Sequence, residues 1–257
     1  MTITMGPHAR VCFTFDNMAE AADVGRGVRS APLLAGSDPS LTVGFPRLYD
    51  LLAHHDVRAT FFVEGWNGLH HPEAVAEIVT RGHELGMHGW THEPWQGLEA
   101  AAERAAAERA TTALAEASGI RPRGFRAPGG HRTAATEAIL RDLGYDYDAS
   151  LGDRMRPARL ASGLAQVPFV WPCVDGFHYL RPDPVPAATV RDQWLDRLAR
   201  VATEGGLFLL ICHAFITGVD DARLAALDAV MEAAVKDARV TIQTAGEIAR
   251  TIEACDA

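Results

Sequence analysis

Short apolar, β-prone runs alternate with helix-patterned segments about seven times along this chain, and that alternation constrains its fold more than any other feature. The runs fall at 11–15, 59–63, 85–87, 124–126, 145–149, 166–171 and 206–212, with a last one at 240–242. Helical spacing or strong helix formers mark 45–55, 72–81, 98–118, 133–143, 189–203 and 224–235. Runs that are apolar throughout are buried on both faces, the habit of a parallel sheet covered by helices. Polar residues gather where the runs end: Asp16, Glu64, His88, Arg126, Asp148 and His213. In a β/α barrel those ends meet on one face, where active sites sit. An open doubly wound sheet is the alternative, but no Gly-rich phosphate loop follows the first strand. The expectation is one barrel domain spanning residues 1–257.

At 257 residues and 48% hydrophobic content, the chain can bury a sizeable core. A formal net charge of −9 argues against nucleic acid or an anionic membrane as partner. Cys12, Cys173, Cys212 and Cys255 form no C-x-x-C pair, so no disulfide framework is implied. There is no basic-then-apolar leader and no span-length apolar segment, so a cytoplasmic location is expected. A small substrate suits that location better than a cell-wall polymer.

His88 and His92 stand four residues apart. On one turn of helix they would share a face and could point at one ion, and neutral imidazole is a good ligand for zinc and its neighbours. A pair alone does not make a site, which needs a further ligand and an open position.

The tips, in order, resemble the polysaccharide deacetylase (NodB-homology) family, also called family 4 carbohydrate esterases. Thr14-Phe15-Asp16-Asn17 is similar to the family's T-F-D-D, and His88-Gly89-Trp90-Thr91-His92 to its H-[S/T]-x-x-H. Arg126-Ala127-Pro128-Gly129 resembles R-x-P-[Y/F], and Leu210-Ile211-Cys212-His213 the closing L-x-x-H. The resemblance runs from about residue 11 to residue 245 and implies a distorted (β/α)7 barrel that hydrolyses an N-acyl amide with help from a metal. It also implies that Asn17, His88 and His92 hold a divalent ion, zinc first. Asn17 stands where the family has a second Asp, so the ion would be weakly held or absent. Glu64, or less readily Glu93, is a candidate replacement ligand. The segments 147–151 and 174–179, with Trp90, look like the branch that includes allantoinase-like and cyclic imide hydrolases, formamido-sugar deformylases and certain peptidoglycan deacetylases, some of which need no metal. That branch and the large apolar residues in the loops lead us to expect an oligomer.

Amide hydrolysis needs an activated water, a place for the oxyanion and an acid for the leaving nitrogen. Asp16 is placed to take the water's proton, and Arg126 to hold Asp16 ionised. The backbone N–H near Gly129 could share the oxyanion. His213 could protonate the leaving nitrogen, with Asp148 or Asp175 tuning it. Pro128, Gly129, Gly130, Trp90, Trp171 and Glu64 are the expected substrate contacts, with Trp66 and Trp95 as further candidates for the wall. His54, His55, His70 and His71 read as solvated, and His178 as a possible pocket residue. Deacylation of an N-acylated amino sugar or related small amide leads. A cyclic amide or metal-independent amidase comes second, and a ligand-binding relative without turnover third. Asp16, Arg126 and His213 together argue against the last, since a binding module has no need of base, orienter and acid at once.

Overall fold

The computed structural model describes residues 9–29, 37–152 and 155–252. In chain order the strands are β1 (Ala9–Asp16), β2 (Thr60–Val63), β3 (Glu84–Met87), β4 (Gly124–Phe125), β5 (Tyr147–Asp148), β6 (Ala158–Arg159), β7 (Ala165–Gln166), β8 (Gly206–His213) and β9 (Val240–Ile242). The helices are α1 (Ala21–Gly25), α2 (Phe45–His54), α3 (Gly65–His70), α4 (Pro72–Thr80), α5 (Ala100–Ser118), α6 (Thr136–Asp142), α7 (Asp175–Tyr179), α8 (Ala187–Glu204), α9 (Asp221–Lys236) and α10 (Ala245–Arg250).

The sheet runs β6-β7-β5-β4-β3-β2-β1-β8, with β9 also pairing with β1. All described pairings are parallel except β6 with β7, which flank a tight turn at Gly163 (φ +88°). β1 and β8 carry the longest ladder, from Ala9 opposite Gly206 to Asp16 opposite His213. Val11, Phe13, Leu207 and Phe208 are at most 1% exposed, as strands covered on both faces require. The sheet curls until the segment after β7 meets β8 again through a single bridge, Val174 with Ile211. This is the β/α barrel expected from the alternation, in the distorted form the family resemblance implies, closed on that side by one bridge instead of a ladder.

Several elements differ from the sequence reading, each for a local reason. Residues 88–92 form a turn and not a helix: Gly89 and His92 both have left-handed φ, +76° and +62°. Segment 18–44 carries no marked pattern yet contains α1; residues 30–36 of it lie outside the described residues. Two glycines hid α3, which packs so closely on α5 that a Cβ at Gly65 would lie 2.2 Å from the Ala110 backbone. α7 was hidden by its brevity. Cys12, Cys173 and Cys212 are buried free thiols, and Cys255 lies outside the described residues. No helix among the described residues is long and apolar enough to cross a membrane.

Candidate active site

Parallel strands deliver their C-terminal tips to one end of the barrel. There a cavity of about 240 Å³ is lined by Asp16, Asn17, His88, His92, Arg126 and His213, with an apolar wall opposite them. The register sets Asp16 beside His213, because they are the last paired residues of β1 and β8.

Asp16 is 5% exposed and its Oδ1 accepts from Arg126 Nη1 at 2.6 Å. Arg126 is 1% exposed, not the surface ion pair that arginine usually makes. Nη1 also donates to Thr14 Oγ1 and Nε to the Ala149 carbonyl, while the guanidinium lies 4.2 Å over the Phe62 ring. Burial pushes the Asp16 carboxyl above its ordinary range, and Arg126 pulls it back toward the ionised form. The outcome is a fixed carboxylate more basic than a solvated one.

His213 sits opposite. Its Nδ1–H donates to Asp175 Oδ1 at 2.5 Å, so Nε2 is the nitrogen left free. Asp175 is fully buried, and its other oxygen accepts from the His213 backbone N–H and the Thr217 hydroxyl. Burial disfavours the imidazolium, but the charge and hydrogen bond of Asp175 outweigh it, aided by Asp16 and Glu64, and the His213 pKa is raised. Of the two carboxylates that could tune His213, Asp175 does so. Asp148, the other, is buried elsewhere, bonded to Ser150 and 3.2 Å from Arg132.

The two site histidines meet at ring centroids 5.0 Å apart, edge to face. His88 donates Nδ1–H to the Arg126 carbonyl, which leaves its Nε2 lone pair open. Glu93 shapes the turn that brings His92 round: its carboxylate accepts from the backbone N–H groups of Trp90 and Thr91 and from the Thr91 hydroxyl. It therefore buttresses the turn instead of offering itself as a ligand. Burial, then the charge of the neighbouring ring, holds His88 well below the ordinary imidazole range. Burial, then the charge of His213, brings His92 down to about 4. Both rings are thus neutral at pH 7, the form that binds metals.

Asn17 (φ +61°) donates its NH2 to Glu64 Oε1 at 2.6 Å. Glu64 also accepts from the Met18 N–H and Asn67 Nδ2, is fully buried, and is pushed by burial up to about 7. It stands behind Asn17 and outside the cavity lining, so it is neither a substrate contact nor a free ligand. With its NH2 turned to Glu64, the planar Asn17 amide leaves its oxygen on the other side. As a donor set, two neutral imidazole nitrogens and an amide oxygen are weaker for a divalent ion than a set with a carboxylate. Among the described residues no group of three His, Cys, Asp or Glu is arranged to hold a metal ion.

Gly129 (φ +71°), Gly130 and Trp171 line the cavity as expected. Pro128 instead lines an adjoining groove with Arg26 and Gln96. Trp90 does not face the cavity; the Arg109 guanidinium lies 3.6 Å over its ring on the outer side. Trp95 is core, and Trp66 stacks near His70. His71 is buried against Glu20 and His178 donates to the Pro172 carbonyl, so His71 is not solvated and His178 is outside the pocket. The segment before α2 packs on the His88–His92 turn: a Cβ at Gly25 would lie 2.1 Å from the Thr91 carbonyl oxygen. Phe177 of α7 and Leu180, the residue just past its end, also line the cavity, which the sequence does not announce. Phe177 falls within the run 174–179, and no sequence signal marks Leu180.

A family model described as polysaccharide deacetylase matches residues 6–147. The peptidoglycan deacetylase of Helicobacter pylori is 32% identical over 129 residues, which are 50% of this chain and 41% of that protein. The chain spans well under half the length of the curated relatives it matches first. The solved structure of a "putative polysaccharide deacetylase" from Mycobacterium smegmatis is 30% identical with a TM-score of 0.87, covering 98% of this chain and 92% of that one. Puue allantoinase, 22% identical, has a TM-score of 0.79 over 94% of this chain and 90% of its own, a likeness of fold.

Proposed function

The chain belongs to the polysaccharide deacetylase family, and from that premise we propose that it is a hydrolase of carboxamide C–N bonds, removing an acyl group from nitrogen. The observation that carries this reading is the pairing of Asp16 and His213 on adjacent strand tips, one held by Arg126 and the other by Asp175.

In the proposed reaction a water in the cavity adds to the amide carbonyl while Asp16 takes one of its protons. Burial has made Asp16 basic enough for this, and Arg126 keeps it aimed. The oxygen that gains charge lies near the backbone at Gly129, whose left-handed conformation turns the peptide there. His213, in the protonated form that Asp175 favours, gives a proton from Nε2 to the amide nitrogen, and the C–N bond breaks. Acid and amine leave, and the proton on Asp16 returns to His213 through solvent. A divalent ion held by His88, His92 and Asn17, when bound, supplies Lewis acidity to this same centre. A second reading, hydrolysis without an ion, is favoured by the neutral amide of Asn17 in the family's carboxylate position.

The test is Asp16→Asn, assayed on a panel of N-acyl amines with and without added Zn²⁺ or Co²⁺. Loss of a general base costs about 10²–10⁴-fold. Turnover near the wild-type rate would refute the assignment. Wild-type turnover that survives exhaustive chelation, together with activity in His88→Ala, would select the ion-free reading.

A further inference from the structure

The wall facing the reacting groups says what kind of amine this site releases. We infer that the substrate is a compact carboxamide whose nitrogen carries an apolar group, aryl or branched alkyl, instead of a hydroxyl-rich sugar. This rests on the hydrolase reading above and narrows it.

Among the described residues that line the cavity, the only polar side chain outside the reacting set is Trp171, with its single indole N–H. The wall itself is Phe169, Trp171, Val174, Phe177, Leu180 and Ile211. Phe169 and Trp171 pack edge to face at 5.4 Å. A pyranose hydroxyl turned inward on this wall would lose water and find no partner beyond the Trp171 indole N–H, a penalty for each hydroxyl so placed. An apolar substituent meets the opposite balance, since its own burial favours binding.

The wall is exposed where a lone soluble chain would be expected to hide it. Trp171 is 37% exposed, Phe177 46% and Leu180 65%, and Phe215, packed against the His213 ring at 5.4 Å, is 45% exposed. Exposed apolar side chains gathered on one concave feature mark a binding surface. Geometry also sets which side of the amide they serve. A Cβ on Gly176 would lie 3.9 Å from His213 Cε1, so α7 flanks the proton donor. The group leaving with nitrogen is the one that meets Phe177 and Leu180. Asp175 opens α7 and also holds His213 and Thr217, so wall and proton donor are one rigid unit. The absence of a side chain at Gly176 leaves room for the leaving group between them.

The experiment compares two alkyl acetamides of similar intrinsic reactivity, N-benzylacetamide and N-acetylglucosamine, along with the N-acetylglucosamine tetramer, using Zn²⁺-supplemented full-length protein. N-benzylacetamide should have at least tenfold higher kcat/KM. Phe177→Ser and Leu180→Ser, at exposed positions, should each raise its KM several-fold with kcat little changed, as expected when binding alone is lost. If either sugar substrate is preferred and Asp16→Asn still abolishes its turnover, the inference falls while the hydrolase reading stands. If no amide is turned over, calorimetry of N-benzylacetamide decides. Binding to the wild type that Phe177→Ser weakens would support the apolar site and refute the hydrolase reading. No binding to the wild type would overturn the inference.

Discussion

Replacing Asp175 by Asn should convert the acid limb of the reaction from efficient to crippled, and the structure sets the size of the effect. Asp175 accepts hydrogen bonds from the Gly176 N–H, His213 Nδ1–H, the His213 N–H and the Thr217 hydroxyl, all within 2.8 Å. An amide has one accepting oxygen, so its NH2 must face two of these donors. The charge that offsets burial of the imidazolium is lost at the same time. A hydrogen bond to a charged group contributes about 1.5–3 kcal/mol, which corresponds to roughly 10- to 150-fold in kcat. The pH profile should move too. The His213 pKa is raised, so the protonated ring persists above the ordinary imidazole value and activity is lost only as pH rises through the raised one. In Asp175→Asn burial is opposed only by the smaller effects of Asp16 and Glu64, and the alkaline limb should shift to lower pH. The assay is kcat against pH for an N-acyl amine and for an activated aryl ester, with near-UV circular dichroism as the check on folding. Amide turnover should fall far more than ester turnover, since a good leaving group needs no acid. Thr217→Val, which removes one bond and no charge, should cost only about two- to tenfold. An unmoved alkaline limb, or equal losses on amide and ester, would refute the role given to His213 and Asp175.

Asn17→Asp should tighten Zn²⁺ binding at least tenfold by calorimetry, yet lower the melting temperature of the metal-free protein, because it sets a second carboxylate against Glu64 Oε1, 2.6 Å from the present amide nitrogen. Unchanged affinity would remove Asn17 from the ion's surroundings. Glu93→Ala should release the turn that holds His92 at φ +62°, lowering ion affinity or turnover about tenfold with the fold intact; wild-type values for both would show the turn to be self-supporting. His83 is brought down to about 4, by burial first and then by Arg81 and Arg58. With the folded pKa below the unfolded value, its contribution to stability is full above about 6.5 and is lost as pH falls toward 4. Urea midpoints should therefore drop between pH 7 and pH 4.5 more in the wild type than in His83→Gln, and parallel drops would refute this.

The alternation of strands and helices was legible because it depends on side-chain burial, which the pattern of apolar residues reports directly. Asp16, Arg126, His88 and His213 were legible as strand tips for the same reason. What the pattern could not carry were choices settled across space. In the sequence Asp148 and Asp175 are equivalent as partners for His213; in the fold Ser150 and Arg132 occupy Asp148. The His88–His92 spacing suggested a helix, because nothing local announced that Glu93 would gather the Trp90 and Thr91 amides into a turn. An indole near a strand tip can face either way, and Arg109, nineteen positions on, draws Trp90 outward from the cavity. Glu64 sits at a strand tip like the others, yet its oxygens are spent on Asn17, Met18 and Asn67.

The long β1–β8 ladder has a consequence for the order in which the molecule comes into being. The Thr14 hydroxyl donates to the Leu210 carbonyl 196 residues further along, and Asp16 lies beside His213 two rungs on. A ribosome adds about 5–20 residues per second, so the first strand waits roughly 10–40 s for its neighbour to be synthesised. During that interval β1, whose Val11, Cys12, Phe13 and Phe15 are buried in the finished fold, has β2 on one side and an open edge on the other. A nascent chain of this topology is therefore a natural client for chaperones that shield strand edges, and the proton acceptor and proton donor come together only when the eighth strand docks.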